Sequence, residues 1–325
     1  MTKATAKLLL KALLTTILIA VVVHVVDFRK AVAGIREAEL LWLLGSFLGL
    51  ILSVVLQSLR WRMMLRRPDI PLHKFAYFLF MGFFLNMVIP TQVGSDIVRS
   101  AAFGRKYGDV GLNIGLGLAQ RVLGLLVLGV FALVGAWFYR NALLAYAADL
   151  SLSTTPILVA GAGLAIVAIL LWRFRDRLAR SVALRALFAS LTDPELLFKA
   201  LGYSLLIQIV TSISTWLLFR AVFPHPDFWQ ITLFTSIAQV ALLLPLSLGG
   251  MGIRDVLTLA LYSGIGKLPA DQIVTVNLLG YSSLLLLAAT GGAWMGFRWL
   301  ISGTNPLRAE APVPDDDVQP DSTPR

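Results

Sequence analysis

Six runs of this sequence are long and apolar enough to cross a lipid bilayer: Leu8 to Val26, Leu40 to Leu59, Leu112 to Tyr139, Thr155 to Trp172, Leu201 to Ala221 and Ile273 to Trp299. A crossing helix needs roughly 20 mostly apolar residues. In hydrocarbon each backbone amide must find its partner within the segment, which leaves helices or a closed barrel, and runs of this length are helices. The expected fold is therefore an all-α integral membrane protein. Composition agrees, since 58% hydrophobic residues and a mean hydropathy of +0.80 exceed what a soluble surface tolerates, and 14% charged residues falls short of what one carries.

Two further apolar runs, Phe75 to Pro90 and Ile231 to Pro245, are too short for ordinary spans and end in Pro/Gly breaks. They are expected to be re-entrant broken-helix hairpins. The first run has features of a cleavable signal, with Lys3, Lys7 and Lys11 before it and small residues after it. Its core is long for a signal, and Asp27, Arg29 and Lys30 crowd the cleavage region, so it is read as a span. The absence of cysteine excludes disulfides and thiolate metal sites. His24, His73 and His225 lie in separate segments without ligand spacing, so neither a metal nor another cofactor is expected.

Positive charge orients the spans. With a cytoplasmic N-terminus and two re-entrant hairpins, only Arg29, Lys30, Arg36, Arg140, Arg220, Arg254 and Lys267 fall outside, Arg121 sits within a span, and every other Lys and Arg faces the cytoplasm. Hairpins that crossed fully would put the basic segments 60–74 and 99–106 on opposite faces. The predicted location is the cell inner (plasma) membrane, multi-pass, with both termini cytoplasmic. The net charge of +10 then needs no nucleic-acid partner, because it belongs to the rim that meets anionic headgroups.

The sequence also repeats itself. Pro71, Pro90, Gly94 and Arg99 recur as Pro226, Pro245, Gly249 and Arg254 at one offset of 155 residues, and Gly135, Ala136 and Trp137 recur as Gly292, Ala293 and Trp294. Two repeats are expected, about 40–140 and 195–299, within one membrane domain over 1–300. Each is a span, a broken hairpin and a span, and the charge distribution inverts the second relative to the first.

Irregular chain at membrane depth survives only against protein or a polar cavity. Pro90 ends a helix, Gly94 permits unusual dihedrals, and Ser95 is expected to cap a helix restarting toward Arg99, only a turn beyond. Pro245, Gly249, Gly250 and Gly252 do the same before Arg254 and Asp255. Two helix starts, each with an arginine, would make two anion sites, and a guanidinium suits phosphate because its planar fork bonds two oxygens. Arg121, beside Gln120, needs a partner inside the membrane, and Asp96 is the candidate. A purely structural Arg121–Asp96 pair, and interface anchoring by Arg99 and Arg254, are the alternatives.

"RWRMML" from Arg60, "NMVIPTQVGSDIVR" from Asn86, "QRVLGLLVL" from Gln120 and "LPLSLGGMGIRD" from Leu244 resemble, in order, the landmarks of the lysylphosphatidylglycerol synthase transmembrane family, also called flippase-like. The resemblance implies a lipid-translocating membrane part, carried here by Pro90, Gly94, Asp96, Arg99, Arg121, Pro245, Gly249, Gly250 and Arg254. The chain departs at Ser95 (a glycine expected), Gln120 (an acid expected) and Asp255 (a glutamate expected). Residues 301–325 read as a disordered cytoplasmic tail, so a standalone member without the soluble aminoacyl transferase is expected.

Two classes of function follow. One is a lipid translocase moving a polar or anionic headgroup between leaflets, with membrane lipids as partners, no catalysis, and no P-loop that would imply ATP. The other is an enzyme acting on polyprenyl-phosphate-linked sugar or another lipid, or the accessory subunit of a separately encoded one. The enzyme reading lacks a catalytic constellation in the sequence.

Overall fold

The computed structural model describes residues 28–88, 92–149, 182–241 and 253–302. The expected spans at 8–26 and 155–172, the break residues Pro90, Pro245, Gly249, Gly250 and Gly252, and the tail beyond Ser302 lie outside them. The described residues form helices and no strand. In order these are α1 (Phe28–Glu37), α2 (Leu40–Leu65), α3 (Leu72–Val88), α4 (Gln92–Tyr107), α5 (Val110–Phe138), α6 (Arg140–Asp149), α7 (Val182–Thr192), α8 (Pro194–Arg220), α9 (Phe228–Ala241), α10 (Ile253–Thr258) running into a π-helical segment (Leu259–Ile265), and α11 (Ala270–Ser302).

Four of these, α2, α5, α8 and α11, are long and apolar enough to cross a membrane. Their outward residues, among them Leu48, Leu52, Leu126, Val130, Leu205 and Leu286, are exposed apolar side chains, as expected of a surface solvated by lipid. Aspartates start two of them. Asp109 accepts from the Leu112 N–H at 3.0 Å and Asp193 from the Leu196 N–H at 3.2 Å, with Pro194 in the first turn of α8.

Span α2 runs antiparallel to α8. Ser214 Oγ donates to the Ser46 carbonyl at 2.6 Å, Arg60 meets Ser204, and Arg66 pairs with Asp193, so partners descend along α8 as positions ascend along α2. Gly49 allows the approach, since a Cβ there would stand 2.9 Å from Ser214 Cβ.

The two short apolar runs are helical hairpins. In the first, Asn86 faces Ser95, Gly82 faces Arg99, and the Phe78 ring meets Phe103 at 5.3 Å, so α4 retraces α3. Its ends return to the face that α2 reached, where Arg67 donates to the Tyr107 carbonyl at 3.5 Å. That face also holds Arg62, Arg66, Arg105 and Lys106, and is called the basic face below. In the second hairpin Thr235 and Tyr262 share a 2.6 Å hydrogen bond, and a Cβ on Gly266 would meet Gln230 Nε2 at 3.1 Å. This hairpin opens on the opposite face, where Trp216 Nε1 donates to the Pro226 carbonyl and the Glu39 N–H to the Ala221 carbonyl.

The halves grip each other crosswise. The first hairpin packs through α3 on α11, the second through α9 on α5, and likewise α1 lies on α11 while α7 lies on α5. The repeated Gly-Ala-Trp motif marks these crossings: Gly135 faces Leu233 of α9, and Gly292 faces the Phe84 ring of α3.

Three local expectations need correction. Span α2 continues to Leu65 rather than ending at Leu59, because the Arg60 head finds a partner on α8 and stays within the bundle. Helix α4 already begins at Gln92, so Gly94 and Ser95 are helical residues of its first turn. Ser95 is buried and donates to Asn86 Oδ1 at 3.4 Å instead of capping. Arg99 is consequently two turns, about 10 Å, from the helix start rather than one.

Candidate functional site

The first hairpin presents an acidic residue between two arginines. Asp96 Oδ1 lies 3.0 Å from Arg99 Nη2, one turn along α4, and Oδ2 lies 2.7 Å from Arg121 Nη1 on α5. The sequence lacks an acid at position 120, yet Arg121 has its carboxylate, supplied by the hairpin rather than by its own helix. Gln120 itself is buried. Small residues bring α4 close to α5, as at Gly117, where a Cβ would meet Ser100 Oγ at 2.6 Å.

Arg99 is held from three sides. Its aliphatic stem fills the space left by Gly82, where a Cβ would stand 2.7 Å from Arg99 Cδ, and its guanidinium lies 5.5 Å from the Trp61 ring centroid. Trp61 is fixed by Phe75 and Phe103 at 5.6 and 4.7 Å. A cation against an aromatic face in a dry setting gains electrostatic energy without a full countercharge.

One residue of this site escaped the sequence reading. Arg60, counted there with the cytoplasmic rim, is only 8% exposed and donates from Nη1 to Ser204 Oγ on α8 at 2.7 Å. Its neighbour in the chain, Trp61, carries the ring that Arg99 meets. Its place in "RWRMML" was the available signal.

The second hairpin is built from different chemistry. Asp255 accepts from Asn277 Nδ2 at 2.9 Å and from the Tyr281 hydroxyl at 3.1 Å, and Asn277 Nδ2 also reaches Thr258 Oγ1 at 2.8 Å. Arg254 lies 5.9 Å from the Tyr281 ring centroid. Tyr281 and Asn277 were not anticipated, although Asn277 stands where Gln120 stands in the first repeat when positions are counted from Gly135 and Gly292. The π-helical segment that follows is fixed by Tyr262, fully buried, whose hydroxyl also reaches the Ile231 carbonyl at 2.9 Å. No group of His, Asp and Glu able to hold a metal ion occurs among the described residues.

The fold and its embedded polar residues define an all-α integral membrane protein in which Asp96 and Arg99 of one helical hairpin and Arg254 and Asp255 of another meet polar or aromatic side chains of the spans. A family model described as the lysylphosphatidylglycerol synthase TM region matches residues 8–297, and the chain belongs to that family. It is thus a membrane protein of lipid metabolism or translocation. No curated protein and no solved structure matches the chain.

Proposed function

We propose that this protein is a translocase that carries a lipid with a polar, anionic headgroup between the leaflets of the plasma membrane and makes or breaks no covalent bond. The observation that carries the reading is that the two hairpins, each with an embedded arginine, open on opposite faces. A headgroup passing from Arg99 to Arg254 would exchange the arginine of the hairpin that opens on the basic face for the arginine of the hairpin that opens on the opposite face, while the acyl tails remain in lipid. The exposed Val93 and Ile97 on α4 suit that lipid contact.

The halves would rock about the α2–α8 contact, alternately presenting the two hairpins. The basic face is assigned to the cytoplasm by the positive-inside rule, which also puts both termini there. Phosphate recognition by a guanidinium fork fits the donors available.

The test is translocation of head-labelled anionic and zwitterionic phospholipids in proteoliposomes, with wild type beside Arg99→Ala and Arg254→Ala. Movement that depends on both arginines is the expected result. Covalent change of a lipid-linked sugar by purified protein would replace this reading with an enzymatic one. Activity only with a co-purified partner would replace it with an accessory role.

A further inference from the structure

The returning arms of the two hairpins are wound differently. Helix α4 is α-helical from Gln92 to Tyr107, whereas α10 gives way after Thr258 to the π-helical stretch Leu259–Ile265. The Gly266 N–H closes that stretch on the Leu261 carbonyl, five residues back, at 2.8 Å. A π-helical turn houses an extra residue and is rare, and where it occurs it is frequently part of a functional site. Here both of its ends are pinned. On one side Tyr262 is fully buried, with its ring against Phe219 and Phe234 and its hydroxyl 2.6 Å from Thr235 Oγ1 and 2.9 Å from the Ile231 carbonyl. Gly264 lies against Tyr146, where a Cβ would stand 2.4 Å from Cε2 of the ring. On the other side α10 rests on α11, with Asp255 on Asn277 and Tyr281, Thr258 on Asn277, and Val256 packed against Val274. The repeats also differ in length across this interval, since Arg99 precedes Gly135 by 36 residues and Arg254 precedes Gly292 by 38.

We infer that the π-helical stretch is a register switch that turns Arg254 while Arg99 stays fixed. Rewound as α-helix from the same Tyr262 anchor, the stretch would pass its extra residue to α10, which would rotate by about 100° and advance by about 1.5 Å. Each residue of α10 would then take the place of the one before it. Leu257 would face Val274 where Val256 now does, and Asp255 would stand beside the Tyr281 ring in place of Arg254. The contact that holds Arg254 among the described residues is that ring, 5.9 Å from Cζ to centroid, and it is weaker than the charge-assisted hydrogen bonds a phosphate offers. Arg99 lacks this latitude. It sits in unbroken α-helix, with its stem against Gly82, its guanidinium on Asp96 and the Trp61 ring beside it. The purpose of the switch rests on the reading of Arg254 as a headgroup site. A headgroup phosphate that reaches Arg254 favours the register in which the guanidinium has left the ring, so that lipid arrival and movement of the hairpin are one event.

Disulfide cross-linking of the purified, cysteine-free chain reads the register. Val256→Cys with Val274→Cys probes the π-helical register and Leu257→Cys with Val274→Cys the α-helical one. Each pair is placed in the full chain and in a variant with Ala260 deleted, in phosphatidylcholine and in phosphatidylglycerol liposomes. Deleting one residue of the stretch lets it wind as α-helix without turning α10, so the variant is held in the register described above. The Val256 pair is expected to link in both chains. The Leu257 pair should link in the full chain at a rate set by a minor population of about 0.1–10%, rise in phosphatidylglycerol, and fall about tenfold or more on deletion. A Leu257 pair that links no faster in the full chain than in the deletion variant would overturn the inference. Should the deletion variant not fold, Tyr262→Phe decides. Loss of the hydroxyl pin should speed the Leu257 link about fivefold, the scale of one hydrogen bond, and an unchanged rate would overturn the switch. A deletion-sensitive Leu257 link that ignores the lipid would remove the headgroup reading of Arg254 and leave the switch standing.

Discussion

Gly291 on α11 lies so close to Phe80 on α3 that a Cβ at position 291 would overlap the Phe80 carbonyl. The obstacle is backbone, which cannot swing aside as a side chain can. Gly291→Ala is expected to lower stability by about 1–3 kcal/mol, the usual cost of overpacking. Gly124→Ala, at a helical position with nothing within 4 Å of the new Cβ, should be neutral or stabilising by up to about 1 kcal/mol. Reversible unfolding in detergent compares the two; equal losses would contradict the tight α3–α11 crossing.

The Asp96 pairs can be weighed by a double-mutant cycle. Asp96→Asn leaves Arg99 and Arg121 facing each other without their carboxylate and should cost about 2 kcal/mol. Adding Arg121→Gln should restore part of the loss, with a coupling of about 1–3 kcal/mol. Additive losses would mean that the 2.7 Å contact contributes nothing.

Tyr281 has two separable roles. Tyr281→Phe removes the hydroxyl that Asp255 accepts but keeps the ring beside Arg254, and should cost about 1 kcal/mol. Tyr281→Leu removes both and should cost about 0.5–2 kcal/mol more. Unfolding curves of the two variants together read the ring's share.

Acid should loosen the start of α8. The Leu196 N–H, and after it the Arg66 guanidinium, hold the Asp193 carboxyl below its usual range. A lowered folded-state pKa means that stability is present above the ordinary carboxylate pKa and is lost as pH falls through the folded value. Asp193→Asn should therefore melt below wild type at neutral pH, and the gap should close under acid conditions. A gap independent of pH would exclude the charge.

Because the sequence has no cysteine, single cysteines report topology without background. Asp69→Cys and Lys106→Cys should react with an impermeant maleimide from one face, and Asn141→Cys and His225→Cys from the other. Labelling of positions 69 and 106 from opposite faces would contradict the hairpin's return.

Apolar length made α2, α5, α8 and α11 legible, because twenty apolar residues admit little besides a spanning helix. The Asp96–Arg121 contact was also foreseen, from the need of a membrane-embedded arginine for a carboxylate. Arg60 was not: an arginine at the end of an apolar run looks the same whether it snorkels to water or turns inward to Ser204, and only the position of α8 decides. The second hairpin's partners failed for a related reason, since Asn277 and Tyr281 are ordinary in a span until α10 lies beside them. Ser95 misled because its cap was argued from Pro90 and Gly94, while the helix begins at Gln92, four residues before the Asp96 start that a Ser95 cap would give.

The crosswise grip also bears on how the protein is made. Helix α3 leaves the ribosome long before α11, its cover, and at ordinary elongation rates the interval is roughly ten to forty seconds. Throughout that time the Phe80 and Phe84 surface has only lipid or chaperone to rest on. A chain interrupted between these helices therefore presents two unfinished surfaces to quality control, the Phe84 side of α3 without Gly292 and the Gly135 side of α5 without Leu233.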